Sequence, residues 1–339
     1  MAPEQTSIMR HVRKRPTSTT GVAAEWFAPR PGSPISPERL SELLAAAQAM
    51  EEEDPWLADK VRYASRIQTS LPHSIRNIDQ FKDYVHVNGS RTLSVKPDSK
   101  YGVPYGALPR LILLWVADEV RHKKSPMIYL GDNLSKFMAE LDIVPTGGRW
   151  GTITRLRNQM LRLFNADIRF RDTSKDGEDA MLFSIQKHTL WWNRPTNPNQ
   201  SDLWQSYILL TDPLFEELLV NSSPVNMLAI KAMRRSPMEL DIYCWLTYRM
   251  KYLKRPLFLS YEDLRLQFAA GYDKTNPYNV RDNLDKALWA VLKLYPACRV
   301  QARVRQKREE GWLLQPSPTH VPPSNYKPDL FAKPPKRLR

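Results

Sequence analysis

The sequence predicts an α+β, mainly helical protein with two tandem winged-helix domains, each a helix-turn-helix unit followed by a β-wing. A pattern of hydrophobic helix, short amphipathic helix, polar-faced helix and basic β-ribbon occurs twice, around residues 108–190 and 237–315. In both copies one or two basic residues lie in the two positions before a proline, at 124–126 and 254–256, and an apolar strand-like run follows that proline. A helix, a turn, a helix and a wing in this order form a module whose third helix fits the DNA major groove.

Composition favours a polyanionic partner. The chain has 339 residues, enough for about two domains, and its 42% hydrophobic content can form cores. Its formal charge of +14 makes DNA the first candidate. Membrane binding is disfavoured because no apolar run is long enough to span a bilayer and no signal peptide is evident. We expect a cytoplasmic protein in which Cys244 and Cys298 are reduced core residues, with a disulfide between them less favoured.

The chain divides into six predicted segments. These are a disordered basic tail over 1–35, a helical hairpin with connecting loops over 36–100, a first winged-helix domain over 101–192, a linker with bridging elements over 193–235, a second winged-helix domain over 236–315 and a disordered, Pro-rich basic tail over 316–339.

Helix starts outside the two modules are marked by prolines. Ser36 followed by Pro37 offers an N-cap and a first helical residue, and Pro55 opens a second helix of the same hairpin. After a strand over 206–210, a short helix starts at Asp212, and the Ser-Pro step at 223–224 predicts the start of a further helix before 225–233.

The third helix of the first module has a buried stripe and a polar face. The stripe consists of Ile153, Leu156, Met160, Leu163 and Phe164, which recur at three- and four-residue spacing. The opposite face carries Thr152, Arg155, Asn158, Gln159 and Arg162. Because Arg pairs with guanine and Asn or Gln with adenine, this face has the residue types that read bases directly. The alternative is a solvated helix surface, on which the same residues are common.

The third helix of the second module has the same construction. Val280, Leu284, Leu288, Val291 and Leu292 form its stripe, and its candidate DNA-binding residues are Asn276, Tyr278, Asn279, Arg281, Asn283 and Lys286. Asn276 and Pro277 mark a helix start, where backbone N–H groups favour a phosphate. Asp282 and Asp285 could accept hydrogen bonds from cytosine amino groups or from neighbouring arginines, and the sequence leaves both options open.

The predicted wings are basic. The second carries Arg299, Arg303, Arg305, Lys307 and Arg308, and the first carries Arg169. Arg299, Arg303 and Arg305 flank Val300, Ala302 and Val304, so alternation along a strand puts charge on one face and apolar groups on the other. A one-sided arginine stripe beside a reading helix predicts a clamp on the DNA backbone or minor groove. A merely solvated charged face is the alternative.

Signals for catalysis are absent, so we expect neither an enzyme nor a bound cofactor or metal. No phosphate-binding loop with its glycines and lysine occurs, and the six histidines lack paired metal-ligand spacing. Tyr101 and Tyr105 are spaced like the tyrosine pair of a strand-nicking enzyme, but no histidine-hydrophobic-histidine motif accompanies them.

Residues 102–120 (GVPYGALPRLILLWVADEV) and 234–250 (RRSPMELDIYCWLTYRM) resemble the plasmid-encoded RepA replication proteins of Gram-negative bacteria. The resemblance extends over about residues 100–315. It implies an initiator that binds direct repeats (iterons) at a plasmid origin as a monomer, opens an AT-rich region, and dimerises to repress its own gene. It also implies recruitment of the host proteins DnaA and DnaB.

Two other functions are compatible with the same modules. A repressor or partition protein would bind an operator without supporting replication. A rolling-circle nicking enzyme would need Tyr101 or Tyr105 as its nucleophile. Of the three functions, the initiator is favoured most, the repressor second and the nicking enzyme least.

Overall fold

The structure is a computed structural model that describes residues 35–52, 61–64, 71–76, 78–88, 90–130, 134–141, 143–175, 177–189, 206–268 and 277–322. Residues 1–34 and 323–339, which account for most of the two predicted tails, lie outside the described residues, as does the predicted loop over 191–199. No helix within the described ranges combines the length and the apolar character that crossing a bilayer requires.

Helices and strands are mixed along the chain. The described helices are α1 (Pro37–Glu52), α2 (Ala107–Lys123), α3 (Leu134–Glu140), α4 (Thr152–Phe164), α5 (Asp212–Val220), α6 (Met227–Met233), α7 (Pro237–Tyr252), α8 (Tyr261–Phe268) and α9 (Pro277–Leu294). The described strands are β1 (Val61–Ala64), β2 (Tyr84–Asn88), β3 (Arg91–Lys96), β4 (Met127–Tyr129), β5 (Asp167–Lys175), β6 (Gly177–Phe183), β7 (Ile185–Thr189), β8 (Tyr207–Leu210), β9 (Ser223–Asn226), β10 (Leu257–Ser260), β11 (Val300–Gln306) and β12 (Glu309–Leu314).

The described strands form small antiparallel sheets around the helices. Their orders are β1-β9, β2-β3-β5-β6, β4-β8-β7 and β10-β12-β11. Each of these sheets has only two to four strands, so it needs helices packed on one face to bury its apolar side chains.

In the second copy, the elements follow the order α7, β10, α8, α9, β11, β12. The hairpin β11–β12 is joined by β10, which pairs with β12 from Leu257 opposite Leu314 to Ser260 opposite Gly311. A Cβ at Gly311 would lie 1.9 Å from the Leu259 carbonyl oxygen, so this close approach of β10 and β12 requires a glycine. The helices α8 and α9 lie against α7 and complete a three-helix unit beside the sheet.

The first copy has the same order of elements but different strand pairing. Its hairpin β5–β6 pairs through β5 with β3, and β4 pairs with β8 instead of with the hairpin. The partners β2–β3 and β8 come from segments predicted as connecting elements. Alternating apolar residues explain the pairing, because Leu93 and Val95 on β3 lie opposite Phe170 and Ile168 on β5 and extend the same buried face.

Two helix predictions in the connecting segments are wrong. The helix expected from Pro55 does not include residues 61–64, which form β1 (residues 53–60 lie outside the described part). The helix expected from the Ser-Pro step at 223–224 begins later, at Met227, and Asn226 caps it by accepting a hydrogen bond from the Ala229 N–H. β1 and β9 pair antiparallel across the chain, and this long-range pairing overrides what short apolar runs predict locally.

The predictions for the first helix and the two cysteines are confirmed. The Ser36 hydroxyl accepts a hydrogen bond from the Arg39 N–H at the start of α1, which then runs to Glu52. Cys244 and Cys298 are both buried, and neither forms a disulfide.

A continuous hydrophobic core joins both copies. It is centred on α2 and α7, whose buried residues occur all around each helix rather than along one stripe. A helix buried on all sides has this pattern. Each copy therefore contributes one central helix, and the remaining elements pack around the pair.

The start of the C-terminal tail is ordered, contrary to the prediction of disorder over 316–339. Val321 is buried, and the His320 ring stacks on Tyr295 with a centroid distance of 4.7 Å. His320 Nδ1 also lies 2.7 Å from the Tyr243 hydroxyl. These aromatic contacts attach residues 316–322 to α7 and to Tyr295, which directly follows α9.

Candidate nucleic-acid interface

The outer face of α4 presents a smaller polar surface than the sequence predicts. The apolar stripe is confirmed, since Leu156, Met160, Leu163 and Phe164 are buried and Ile153 packs against the core. Arg155 and Asn158 are exposed, as expected for groups that contact a ligand.

Gln159 and Arg162, predicted to lie on that exposed face, have structural partners. Gln159 is buried, and its Oε1 accepts a hydrogen bond from the Tyr105 N–H at 3.0 Å. Arg162 is half-buried and donates to the Val103 carbonyl at 3.0 Å and to Gln80 Oε1 at 2.9 Å. Both side chains hold the segment before α2 against α4, so their placement does not match the prediction of a solvent-facing reading surface.

Thr152 fixes the loop that leads into α4. Its hydroxyl donates to the Val144 carbonyl at 2.7 Å and accepts from the Thr146 N–H at 2.8 Å. The Thr152 N–H in turn donates to the Thr146 hydroxyl at 2.9 Å. Thr152 therefore shapes the entry to the helix.

An arginine-lined groove of about 830 Å³ runs beside α4. It is bordered by the loop before α4 on one side and by the start of α7 on the other. Among the described residues that line it, none is acidic. Its basic side chains are Arg149, Arg155, Arg162, Arg234 and Arg235. Such a groove has a positive potential that attracts an anionic chain.

The predicted DNA contacts do not include Arg149, Trp150, Arg234 or Arg235, all of which line this groove. Trp150 is 82% exposed, and the Arg149 guanidinium lies 5.2 Å from the centroid of its ring. An exposed Arg-Trp pair between Gly148 and Gly151, directly before a reading helix, is the signal that could have identified the first two. Arg157, also exposed on α4, was missed as well.

The outer face of α9 agrees with the prediction at four positions. Tyr278 is 70% exposed, Asn279 is exposed, and Asn283 and Lys286 are partly exposed. The Asn283 amide donates to Asn279 Oδ1 at 3.2 Å, which aligns the two amides on one face of the helix. Asn276 lies outside the described residues. The predicted stripe from Val280 to Leu292 is buried.

Asp285 is a buried acceptor. It is 2% exposed, and it accepts hydrogen bonds from the Tyr261 hydroxyl at 2.7 Å, from Trp312 Nε1 at 3.0 Å and from Arg303 Nε at 2.7 Å. Burial, together with this carboxylate, raises the pKa of Tyr261, so its hydroxyl remains a donor. Arg303 also donates to Asp282 at 3.2 Å. Both aspartates therefore have a neighbouring arginine as a partner, which is one of the two options that the sequence left open.

Arg303 therefore does not extend the charged outer face of β11 as predicted. The regular register of β11 against β12 is interrupted between Gln301 and Val304, and Arg303 has a positive φ of 58°. This irregularity turns its side chain back toward Asp285, where it is only 17% exposed. Strict alternation along a strand fails at such a bulge.

Arg281, predicted as a base contact, is also engaged within the protein. Its Nη1 donates to Glu310 Oε2 at 3.0 Å, its guanidinium lies 5.3 Å from the Tyr278 ring centroid, and its side chain is 12% exposed. Arg281 thus ties α9 to the hairpin, and it orients Tyr278 beside the exposed amides.

The remaining predicted wing cations face solvent. Arg299, Arg305, Lys307 and Arg308 are exposed on the hairpin β11–β12, and Arg169 is exposed on β5. The second interface therefore consists of the exposed residues of α9 together with four hairpin cations. Among the described residues, no group of three or more potential metal ligands comes together.

Comparison with known proteins finds one family model that matches part of the chain. The family model described as "Plasmid encoded RepA protein" matches residues 103–257. Over these residues the chain is similar to the plasmid-encoded RepA family. The match confirms the resemblance drawn from residues 102–120 and 234–250. It includes α2, α4 and α7, and it ends before α9 and the hairpin β11–β12.

Two solved structures are similar to this chain over most of its length. The crystal structure of RctB domains 2-3 (RctB-155-483) has a TM-score of 0.44 and 9% sequence identity, covering 74% of this chain and 96% of that one. The crystal structure of selenomethionine derivatives of RctB domains 2 and 3 has a TM-score of 0.44 and 10% identity, covering 75% and 96%. No curated protein matches the sequence.

Proposed function

We propose that this chain is a plasmid replication initiator that binds repeated double-stranded DNA at its origin through α4 and α9. One observation carries the proposal: each copy of the helical pattern presents exposed arginine, asparagine or lysine side chains on its third helix, next to a second basic surface. The second surface is the groove in the first copy and the hairpin in the second. The family match supports a role in plasmid replication.

The second copy is proposed to be a winged-helix domain. The order of its elements and the pairing of β10 with the hairpin support this assignment. The first copy is proposed to be a variant of this domain. In it, β3 pairs with the hairpin β5–β6, and β4 pairs with β8 instead of with the hairpin. In both, the third helix would enter a major groove.

Base reading and backbone binding are assigned to different residues. Arg155 and Asn158 on α4, with Asn279 and Asn283 on α9, have side chains that pair with base edges. The exposed cations of the hairpin and the groove would contact phosphates, which fix the register of the protein on the duplex but carry no sequence information.

Origin opening is proposed to follow from DNA deformation. Bound copies on successive repeats would bend the duplex, and the additional protein–DNA interactions that the bend permits would offset the deformation energy. Strain beside an AT-rich stretch lowers the free energy needed to melt it. Dimerisation, repression of the gene, the iteron form of the repeats, and binding of DnaA and DnaB are expected from the similarity to this family. The proposal involves no enzymatic step and no cofactor.

A plasmid maintenance assay tests the initiator function. A replicon carrying only this gene and its flanking repeats should be maintained, and bound origin DNA should contain permanganate-reactive thymines. The variant Asn283→Ala should lose maintenance, whereas a matched exposed change outside both interfaces, Lys82→Ala, should not. Binding to the repeats without maintenance or thymine reactivity would instead identify a repressor or partition protein.

A further inference from the structure

A buried polar cluster lies where α2 of the first copy meets α7 of the second. Arg110 on α2 and Asp241 on α7 are both 0% exposed, and they form a two-point ion pair with Nε–Oδ1 and Nη2–Oδ2 distances of 2.7 Å. His73 Nε2 lies 2.8 Å from Asp241 Oδ2, and this histidine is 4% exposed. Arg110 and Asp241 lie at nearly the same distance before Pro126 and Pro256, so the charges occupy similar places in the two copies.

The Arg110 guanidinium has further acceptors in this cluster. Besides Asp241, Nη1 reaches the carbonyls of Gly106 at 2.8 Å and Pro72 at 3.3 Å, and Nη2 reaches that of Leu71 at 2.6 Å. A guanidinium has five N–H donors in a fixed planar fork, so these acceptors fit a single orientation of the side chain. Burial lowers the pKa of His73, which leaves the cluster with one cation and one anion at neutral pH.

The cluster is better suited to fixing geometry than to adding stability. Taking both charges out of water offsets much of their attraction, and apolar replacements of buried ion pairs are often neutral or stabilising. The hydrophobic driving force between the surrounding apolar side chains of α2 and α7 is non-directional, so it specifies their relative position less strictly than paired hydrogen bonds do. A two-point ion pair specifies this position more strictly, because both of its hydrogen bonds weaken when either helix shifts or rotates.

The two helices joined by the cluster each carry one proposed reading helix. Within the first copy α2 packs against α4, and within the second copy α7 packs against α9. A shift or rotation of α2 relative to α7 therefore changes the distance and angle between α4 and α9.

We infer that Arg110, Asp241 and His73 are positioning residues that set the separation of α4 and α9, and therefore the spacing between the two DNA segments that the protein recognises. This inference rests on the proposed function. It adds to that function a specificity element located away from the DNA.

The first test measures how strictly spacing is recognised. Wild-type protein and the double variant Arg110→Met with Asp241→Leu are titrated onto a set of duplexes in which base pairs are inserted between the two recognised segments. For the wild type, one inserted base pair should weaken binding by roughly tenfold or more, because segment spacing must match protein geometry. In the folded double variant, the same insertion should change the affinity by less than about threefold. This variant should retain its preference for the unaltered segments.

A matched control removes another ion pair of α7. Arg39 on α1 donates to Glu239 near the start of α7, and this pair does not join α2 to α7. The double variant Arg39→Met with Glu239→Leu should retain the wild-type dependence on spacing. Equal dependence on spacing in the Arg110/Asp241 variant and the wild type would overturn the inference.

A second measurement requires no DNA. Spin labels at Arg157→Cys on α4 and Asn279→Cys on α9 report the distance between the helices, and the native Cys244 and Cys298 are buried. The wild-type background should give a narrow distance distribution, and the Arg110/Asp241 double variant should give a broad one. If the double variant does not fold, the single variant Asp241→Asn replaces it. An unchanged narrow distribution would overturn the inference. Failure of the wild type to prefer its repeats would overturn the proposed function, even if the labels showed a broadened distribution.

Discussion

Replacing Asp285 with alanine should destabilise the second copy by several kcal/mol, although the residue lies on the predicted DNA-reading helix. The change leaves Trp312 Nε1 and the Tyr261 hydroxyl without their acceptor and removes the closest anion from Arg303. An unsatisfied buried donor costs about 1–3 kcal/mol, and breaking a buried charge pair by deleting one partner costs about 3–5 kcal/mol. Both figures describe the loss of the same carboxylate and are therefore not added, so the expected loss is about 3–5 kcal/mol in total.

Urea unfolding followed by circular dichroism measures this loss, with Asp282→Ala as the control. Asp282 is bonded to the same arginine, but its side chain is 34% exposed, so its removal should cost less than about 1 kcal/mol. Asp285→Asn retains an acceptor oxygen and should fall between the two. A loss for Asp285→Ala no larger than that of the control would refute the assignment of Asp285 as a buried acceptor.

Three further predictions follow from the interface and the buried histidines. Asn283→Ala and Arg155→Ala should each lower the preference for the repeats over random DNA by about 1–3 kcal/mol in competition titrations, and equal losses on both DNAs would contradict base reading. Arg305→Ala should lower the slope of log K against log salt by about 0.9, whereas Arg303→Ala should mainly reduce stability. Burial lowers the pKa of His86 to about 4. In the unfolded chain the pKa of His86 is 6.5, so below this pH the unfolded chain takes up a proton that the folded chain does not. The free energy of unfolding should therefore fall as pH drops from 6.5 to 4. This loss should be smaller in His86→Gln, and an unchanged pH dependence in that variant would contradict the burial of a neutral His86.

Periodicity was sufficient to predict the elements with strong local signals. The buried stripes of α4 and α9 and the cap of α1 depend on spacing within one element, and the structure confirms them. Strand partners were not predictable in this way. β1 pairs with β9, and β3 pairs with β5, over long stretches of intervening chain, and local residue patterns do not specify which edge a strand will join.

The candidate site was predicted less well because exposure depends on distant groups. Gln159 and Arg303 have the residue types and spacing of DNA contacts, yet each is directed to a partner from another element: the Tyr105 N–H and the Asp285 carboxylate. Long polar side chains often serve the fold in this way, since buried polar groups require partners. Trp150 shows the converse, because its large aromatic side chain is exposed beside α4.

Sequence-specific recognition is tested by fluorescence anisotropy of the purified protein on the repeated DNA that flanks its gene and on a scrambled duplex, over a range of salt concentrations. We expect a preference for the repeats of about 10³ or more that persists at physiological salt. Similar affinities for both duplexes, lost together as salt rises, would contradict sequence-specific recognition and leave only a general attraction of a basic surface to DNA.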